Sequence, residues 1–217
     1  MTNFSTDADL VKWEPTLFRD LAAPGQRLAG GSDGVTAGLT LTSASAGFTT
    51  QRVAPGHVVC LTAADGTEFG CYEVLSVASQ TALLATDVGR DATDSVDLPV
   101  GHPWTYSIDT FDAQAEEVRF ELLSRLGLES DRQGLDQEAW ILDRRVLRRA
   151  SVFATLAMIF EGQSGGNQEG LTLSAKAALY RGLYEKELAR IRVRLDRDGD
   201  GLADDMRAPG SARLSRD

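Results

Sequence analysis

The sequence predicts an α+β chain: a helical domain interrupted by an inserted small antiparallel β-barrel-like unit. Three observations predict it. Helix-period apolar patterns occupy both ends of the chain, a central stretch without lysine runs in short Val-, Thr- and Ser-rich alternations, and turn signals separate those runs. A chain of 217 residues can bury one substantial core with room for a small second unit. The divisions read as N-terminal helices of the helical domain over 1–28, the inserted β unit over 35–108, the main helical domain over 112–195, and an acidic loop with a C-terminal tail over 196–217.

In the first division, "STDADLVKWEP" offers Ser5 or Thr6 as a helix N-cap with acids in the first turn. Pro15 ends that helix and suits the start of a second, "PTLFRDLA". Two short helices cannot bury a core alone, so residues 1–28 are expected to pack on 112–195. "APGQ" and "AGGSDG" then read as punctuation.

Five strands follow in the β unit, at "GLTLT", "HVVCLTA", "EFGCYEVLSV", "TALLAT" and "WTYSI". Short strands with such turns suggest a closed or half-closed barrel. "AADGT" is the best hairpin signal. A two-residue type I′ turn at Asp65-Gly66 would set opposite each other the residues whose numbers sum to 131, including Cys60 and Cys71. That spacing lies within disulfide range, although a reducing compartment favours two free thiols packed side by side. "VGRDATDSVDLPVGHP" is polar with two prolines and reads as a mobile loop.

The third division is helical again. Asp112 can cap "AQAEEVRFELLSRLGL", with Val118, Leu122 and Leu126 on one stripe and Gly127 just past the end. "DQEAWILDRRVLRRASVFATLAMIFEG" and "LSAKAALYRGLYEKELARIRVRL" are the next helices. The latter carries Tyr180, Tyr184, Leu188, Ile191 and Leu195 along one face.

Composition narrows the function. A formal charge of -10 and a pI near 4.7 disfavour general affinity for a phosphate backbone. The opening residues are polar and acidic where a secretory signal is basic and then apolar. The most apolar run, Ala150 to Phe160, is about half a membrane span, so a cytosolic site of synthesis is expected. His57 and His102 sit beside turn residues and read as loop side chains rather than general bases. "GQSGG" lacks the strand-to-helix setting of a nucleophile elbow, and no phosphate-cradling glycine motif occurs. The chain reads as a non-enzyme.

Two clusters carry the functional expectations. Arg144, Arg145, Arg148 and Arg149 recur at i, i+1, i+4 and i+5 and so share a helix face. Such a stripe either is solvated and paired with Glu138 and Asp143 or meets an acidic surface, more readily a protein than DNA. The second cluster is "LDRDGDGLADDMR". Counted from Asp196, acids fall at positions 1, 3, 5 and 9, Gly201 at 6 and the Leu202 carbonyl at 7, the oxygen spacing of an EF-hand-type loop. Position 12 is Arg207, where a bidentate Glu belongs. Asp196, Asp198, Asp200, Leu202 and Asp204 are therefore candidate calcium ligands, with a solvated acidic turn as the alternative.

"FSTDADLVKWEP", "QAEEVRFELLSRLGL" and "LRRASVFATLAMIFEG…LSAKAALYRGLYEKELARIRVRLDRDGDG" resemble the head–tail connector (adaptor, or head-completion) proteins of tailed bacteriophages, over about half the chain. That resemblance implies a helical-bundle adaptor domain in a dodecameric ring of copies of this chain, in the neck of the virion and assembled in the host cytoplasm. The ring would bind the portal on one side and a tail-side neck protein on the other. DNA would pass through its channel without specific binding, and no membrane is involved. The C-terminal part of such adaptors often reaches the portal, which adds Arg207 and Arg213 to the four arginines as interface candidates. The competing readings are a calcium-binding interaction module and another neck or tail component such as a tail terminator.

Overall fold

A computed structural model describes residues 3–21, 24–67, 69–101, 103–128, 137–164 and 168–210. The fold mixes helix and sheet, with a closed six-stranded antiparallel barrel and five α-helices among the described residues. The chain divides into two compact units, Thr6–Phe111 and Met1–Ser5 with Asp112–Asp217.

The barrel unit opens with two short helices, α1 (Asp7–Val11) and α2 (Leu17–Asp20). Thr6 caps α1 through a reciprocal pair: its hydroxyl accepts from the Asp9 N–H, and the Asp9 carboxylate accepts from the Thr6 N–H. These helices do not belong with the helical unit, as expected of residues 1–28, but with the barrel. The Ala8 N–H donates to the Gly56 carbonyl at 3.0 Å, the Phe111 N–H donates to Asp7, and the Phe18 and Phe111 rings lie 5.2 Å apart. Only the residues before Thr6 join the helical unit. There the Ser5 and Ser151 hydroxyls share a buried hydrogen bond, and the Arg144 guanidinium lies over the Phe4 ring.

All five expected strands form: β2 (Thr40–Thr42), β3 (Val58–Ala63), β4 (Phe69–Val77), β5 (Ala82–Asp87) and β6 (Trp104–Asp109). A sixth, β1 (Arg27–Ala37), precedes them where the sequence shows only turn residues, so the β unit starts at Arg27 rather than near Val35. The closed order is β1-β2-β5-β4-β3-β6, every neighbouring pair antiparallel. Leu41, Phe48, Val59, Leu61, Leu83, Leu98, Tyr106 and Ile108 fill its interior.

Glycines let β1 close the ring. A Cβ on Gly31 or Gly34 would come within 3.0 Å of the Tyr106 ring or the Trp104 carbonyl, closer than a packed side chain tolerates. The register slips between Gly31 and Gly34, and Asp33 sits in that bulge. Its carboxylate accepts from the Ser43 hydroxyl at 2.7 Å, the Ser45 hydroxyl at 2.9 Å and the Ser45 N–H at 3.0 Å. Tyr106 donates to the same Ser43 oxygen. The Ser43 hydroxyl, more than any other of these donors, holds Asp33 down at about 2, so it stays ionised and keeps accepting.

The β3–β4 hairpin has the expected register, with Cys60 opposite Cys71. Its turn differs: only Gly66 takes a positive φ, and its N–H bonds back to the Ala63 carbonyl. The loop is longer than two residues but centred on the same point, which leaves the pairing sum unchanged. Cys60 and Cys71 are joined as a disulfide with Cα atoms 4.1 Å apart, where a reducing compartment favours free thiols. Among its described residues the segment from Val88 to Pro103 contains no strand, yet it is tied down. Thr86 bonds both backbone groups of Val96, the Leu98 N–H donates to Gly38, and Leu98 is buried in the barrel core.

In the helical unit, α3 (Asp112–Arg125), α4 (Arg145–Gln163) and α5 (Gln168–Arg190) pack in sequence. Val118, Leu122, Phe153, Leu156, Tyr180, Tyr184 and Leu188 are buried between them, and the Phe160 and Tyr180 rings stack at 5.8 Å. Gly127 ends α3 at a positive φ, as its position implies. The run before α4 is a 3-10 turn (Gln137–Trp140) rather than the first turns of that helix. Past α5 the chain does not stay helical. Val193–Leu195 (β7) pairs with Asp205–Arg207 (β8), and Ile141 bridges Leu195 on the other side.

Candidate functional site

The aspartate loop is the turn of the β7–β8 hairpin, not the frayed end of a helix. Because α5 stops at Arg190, these anions do not stand at a helix C-terminus, where they would be unfavourable. The loop is built from side-chain-to-backbone bonds. Asp196 accepts from the N–H groups of Gly199 (2.7 Å) and Gly201 (2.8 Å), Asp198 from Asp200, Asp200 from Leu202, and Asp204 from Arg197. The Gly201 and Gly199 bonds hold the Asp196 carboxyl below its usual range.

Of the expected ligands, Asp196, Asp198 and Asp204 converge, with one oxygen of each within 4.8 Å of the others. Asp200 lies outside that group, and exposed Leu202 enters the loop's bonding through its N–H. Three hard anionic oxygens suit a hard cation such as calcium or magnesium, though they fill at most half of a calcium shell. Arg207, at the position of the missing acid, is committed elsewhere. It donates to the Leu126 and Gly127 carbonyls at 2.8 Å each, tying β8 to the end of α3, and pairs with Asp205.

The four arginines are not one free stripe. Arg144 precedes α4 and pairs with Glu138, which also binds Arg119; Glu138 and Arg119 are each 3% exposed. Arg149 pairs with Glu187 at 3.4 Å and lies over Phe153. Arg145 and Arg148 are exposed, and the Arg145 guanidinium makes no ion pair with a described residue. Arg213 and His102 lie outside the described residues. His57 is buried before β3, where its Nδ1 accepts from the Ala54 N–H.

Two features of the helical unit have no counterpart in the sequence reading. A cleft of about 160 Å³ opens between α3, α4 and α5. Val118, Ala154, Ala157 and Met158 form its apolar wall, while Glu121, Glu161, Glu185, Arg125, Arg181 and Tyr184 supply the polar one. Tyr184 donates to Glu121 at 3.0 Å; burial, and then that carboxylate's charge, push its hydroxyl pKa up, so it remains a donor. The second feature is the outer row of the small sheet. The Leu142 N–H bonds the Arg194 carbonyl and Arg194 pairs with Met206, so the three side chains share one face. All three are exposed, Met206 by 61%. Three segments distant in sequence form the cleft, which local patterning does not reach. The outer row is obscured because "RIRVRL" fits a helical period although its apolar residues alternate.

Among the described residues, no helix is long and apolar enough to cross a membrane. Comparison with protein-family models, with curated proteins and with solved structures found no match for this chain.

Proposed function

We propose that this chain is a structural virion protein rather than an enzyme: a head–tail connector of a tailed phage that assembles, as a dodecamer, into a ring beneath the portal. The observation that carries the reading is the outer face of α5. Leu171 (73% exposed) and Leu179 (59% exposed) lie along it with exposed Ala175, Ala178 and Gly182 between and beyond them. A solitary helix places polar residues there, and an exposed apolar line signals a partner. The net charge of -10 fits a channel that lets DNA pass without gripping it. Portal and tail-side neck protein are the proposed neighbours above and below. The test is native mass spectrometry with negative-stain microscopy of the purified chain, alone and mixed with the portal of the same virus. Rings, or a portal-bound ring, are expected. A chain that stays monomeric and ignores the portal would overturn the proposal.

Convergence of Asp196, Asp198 and Asp204 favours a second reading, a calcium-fixed turn at the hairpin tip. With three carboxylates and no position-12 acid, affinity is expected at or weaker than roughly 10⁻⁴ M. Calcium should slow amide exchange near Gly201, and Asp198→Ala should abolish that protection. Unchanged exchange at millimolar calcium would leave a charged turn held by its own hydrogen bonds.

A further inference from the structure

The cleft between α3, α4 and α5 is too small for an ordinary ligand. At about 160 Å³ it falls well below the several hundred Å³ of small-molecule sites, and it matches a single long side chain. Its chemistry says which kind. Three carboxylates face two guanidiniums, leaving one excess negative charge, above an apolar wall that includes Met158, 36% exposed. Glu185 is the least committed of the three. It is 58% exposed and its ion pair with Arg125 is long, at 3.8 Å. The fitting guest is a cation on an aliphatic stem, brought in with apolar neighbours.

The same unit presents such a guest. Arg194 stands on the exposed face of β7 between Leu142 and Met206, and its guanidinium makes no hydrogen bond or ion pair with a described residue. Copies of a chain carrying -10 repel one another in general, so a contact between them gains where a local cation faces a local anion. We propose that the α3–α4–α5 cleft receives Arg194 of a second copy of this chain, with Leu142 and Met206 covering the cleft's apolar wall. Knob and cleft are different surfaces of one unit, so the contact closes at a dimer if the rotation per copy is two-fold and builds a larger ring if it is smaller. The inference rests on the ring reading above and specifies its lateral contact.

The experiment is sedimentation velocity on the full-length chain, with circular dichroism confirming that each variant folds. Arg194→Glu and Glu185→Arg should each weaken self-association about 30-fold or more, the effect of removing a contact hot spot. Arg194→Gln, which keeps the stem, should weaken it less. An equimolar mixture of the two charge-reversed variants should associate again, because each restores the other's complement. Variants that associate like the unaltered chain, a mixture that stays monomeric, or an unaltered chain that never associates would each overturn the contact. Association lost in Arg194→Glu but ending at a dimer would uphold the contact and remove the ring. Rings untouched by either substitution would remove the contact and leave the ring.

Discussion

Glu138→Ala is expected to destabilise the helical unit by about 3–5 kcal/mol, the cost of breaking a buried ion pair by removing one partner. Glu138 is 3% exposed and is the shared acceptor of Arg119, equally buried in the middle of α3, and of Arg144 at the start of α4. Removing the carboxylate takes from the buried Arg119 guanidinium its Glu138 partner, while the Glu116 carboxylate lies farther off at 3.9 Å. It also removes the Glu138 pair from Arg144, whose guanidinium covers the Phe4 ring. Glu138→Gln, which keeps shape and one acceptor, should cost less but should not be neutral. Urea denaturation followed by the helical signal measures both. A loss below about 1 kcal/mol for Glu138→Ala would place the network with ordinary surface pairs and contradict its burial.

Tyr106→Ala should have a comparable effect on the barrel, about 3–5 kcal/mol, through the cavity left by a large buried aromatic. Tyr106 is 2% exposed, meets Phe48 edge-on at 5.8 Å between centroids, and packs against the glycines of β1. Tyr106→Phe keeps the ring and removes only the hydrogen bond to Ser43, so it should cost about 1 kcal/mol. The comparison separates packing from polar contact. If the two substitutions cost the same in near-UV-monitored unfolding, the bond to Ser43 and the bulge it supports matter more than the ring.

These two sites also mark what the sequence could and could not reveal. The five legible strands announce themselves because Val, Leu, Ile and Tyr alternate between short turns, and the hairpin register follows from the centre of symmetry at Asp65-Gly66. β1 was invisible because what it needs is the absence of side chains. Gly30, Gly31 and Gly34 accommodate the backbone and rings of β6, a requirement set by residues far along the chain. The N-terminal helices were legible as helices but not as to their partner, since a short amphipathic helix does not encode which apolar surface it covers. Around the candidate site, the aspartate spacing was legible and the convergence of three carboxylates follows it. The hairpin was missed because Ile191 and Leu195 satisfy a helical period as well as Ile191, Val193 and Leu195 satisfy a strand's. The arginine pairings depend on Glu138 and Glu187. Glu138 could be suspected from sequence, whereas Glu187 comes from another helix, which local charge patterning does not reach.

Closure of the barrel by β1 has a kinetic consequence. The β1–β2, β3–β4 and β4–β5 pairings join segments that are close in sequence, whereas β1 meets β6 across a separation of 82 residues at Arg27 and Asp109. The entropy of closing so long a loop has to be met before its contacts can repay it, so topology makes this the slow step and leaves the hairpins to form first. Until it happens, β6 has one unpaired side that can recruit a neighbouring chain. Once β1 docks, the barrel has no free edge. The glycine-rich strand that looks least like structure in the sequence therefore ends the interval in which newly made chains can aggregate through the sheet.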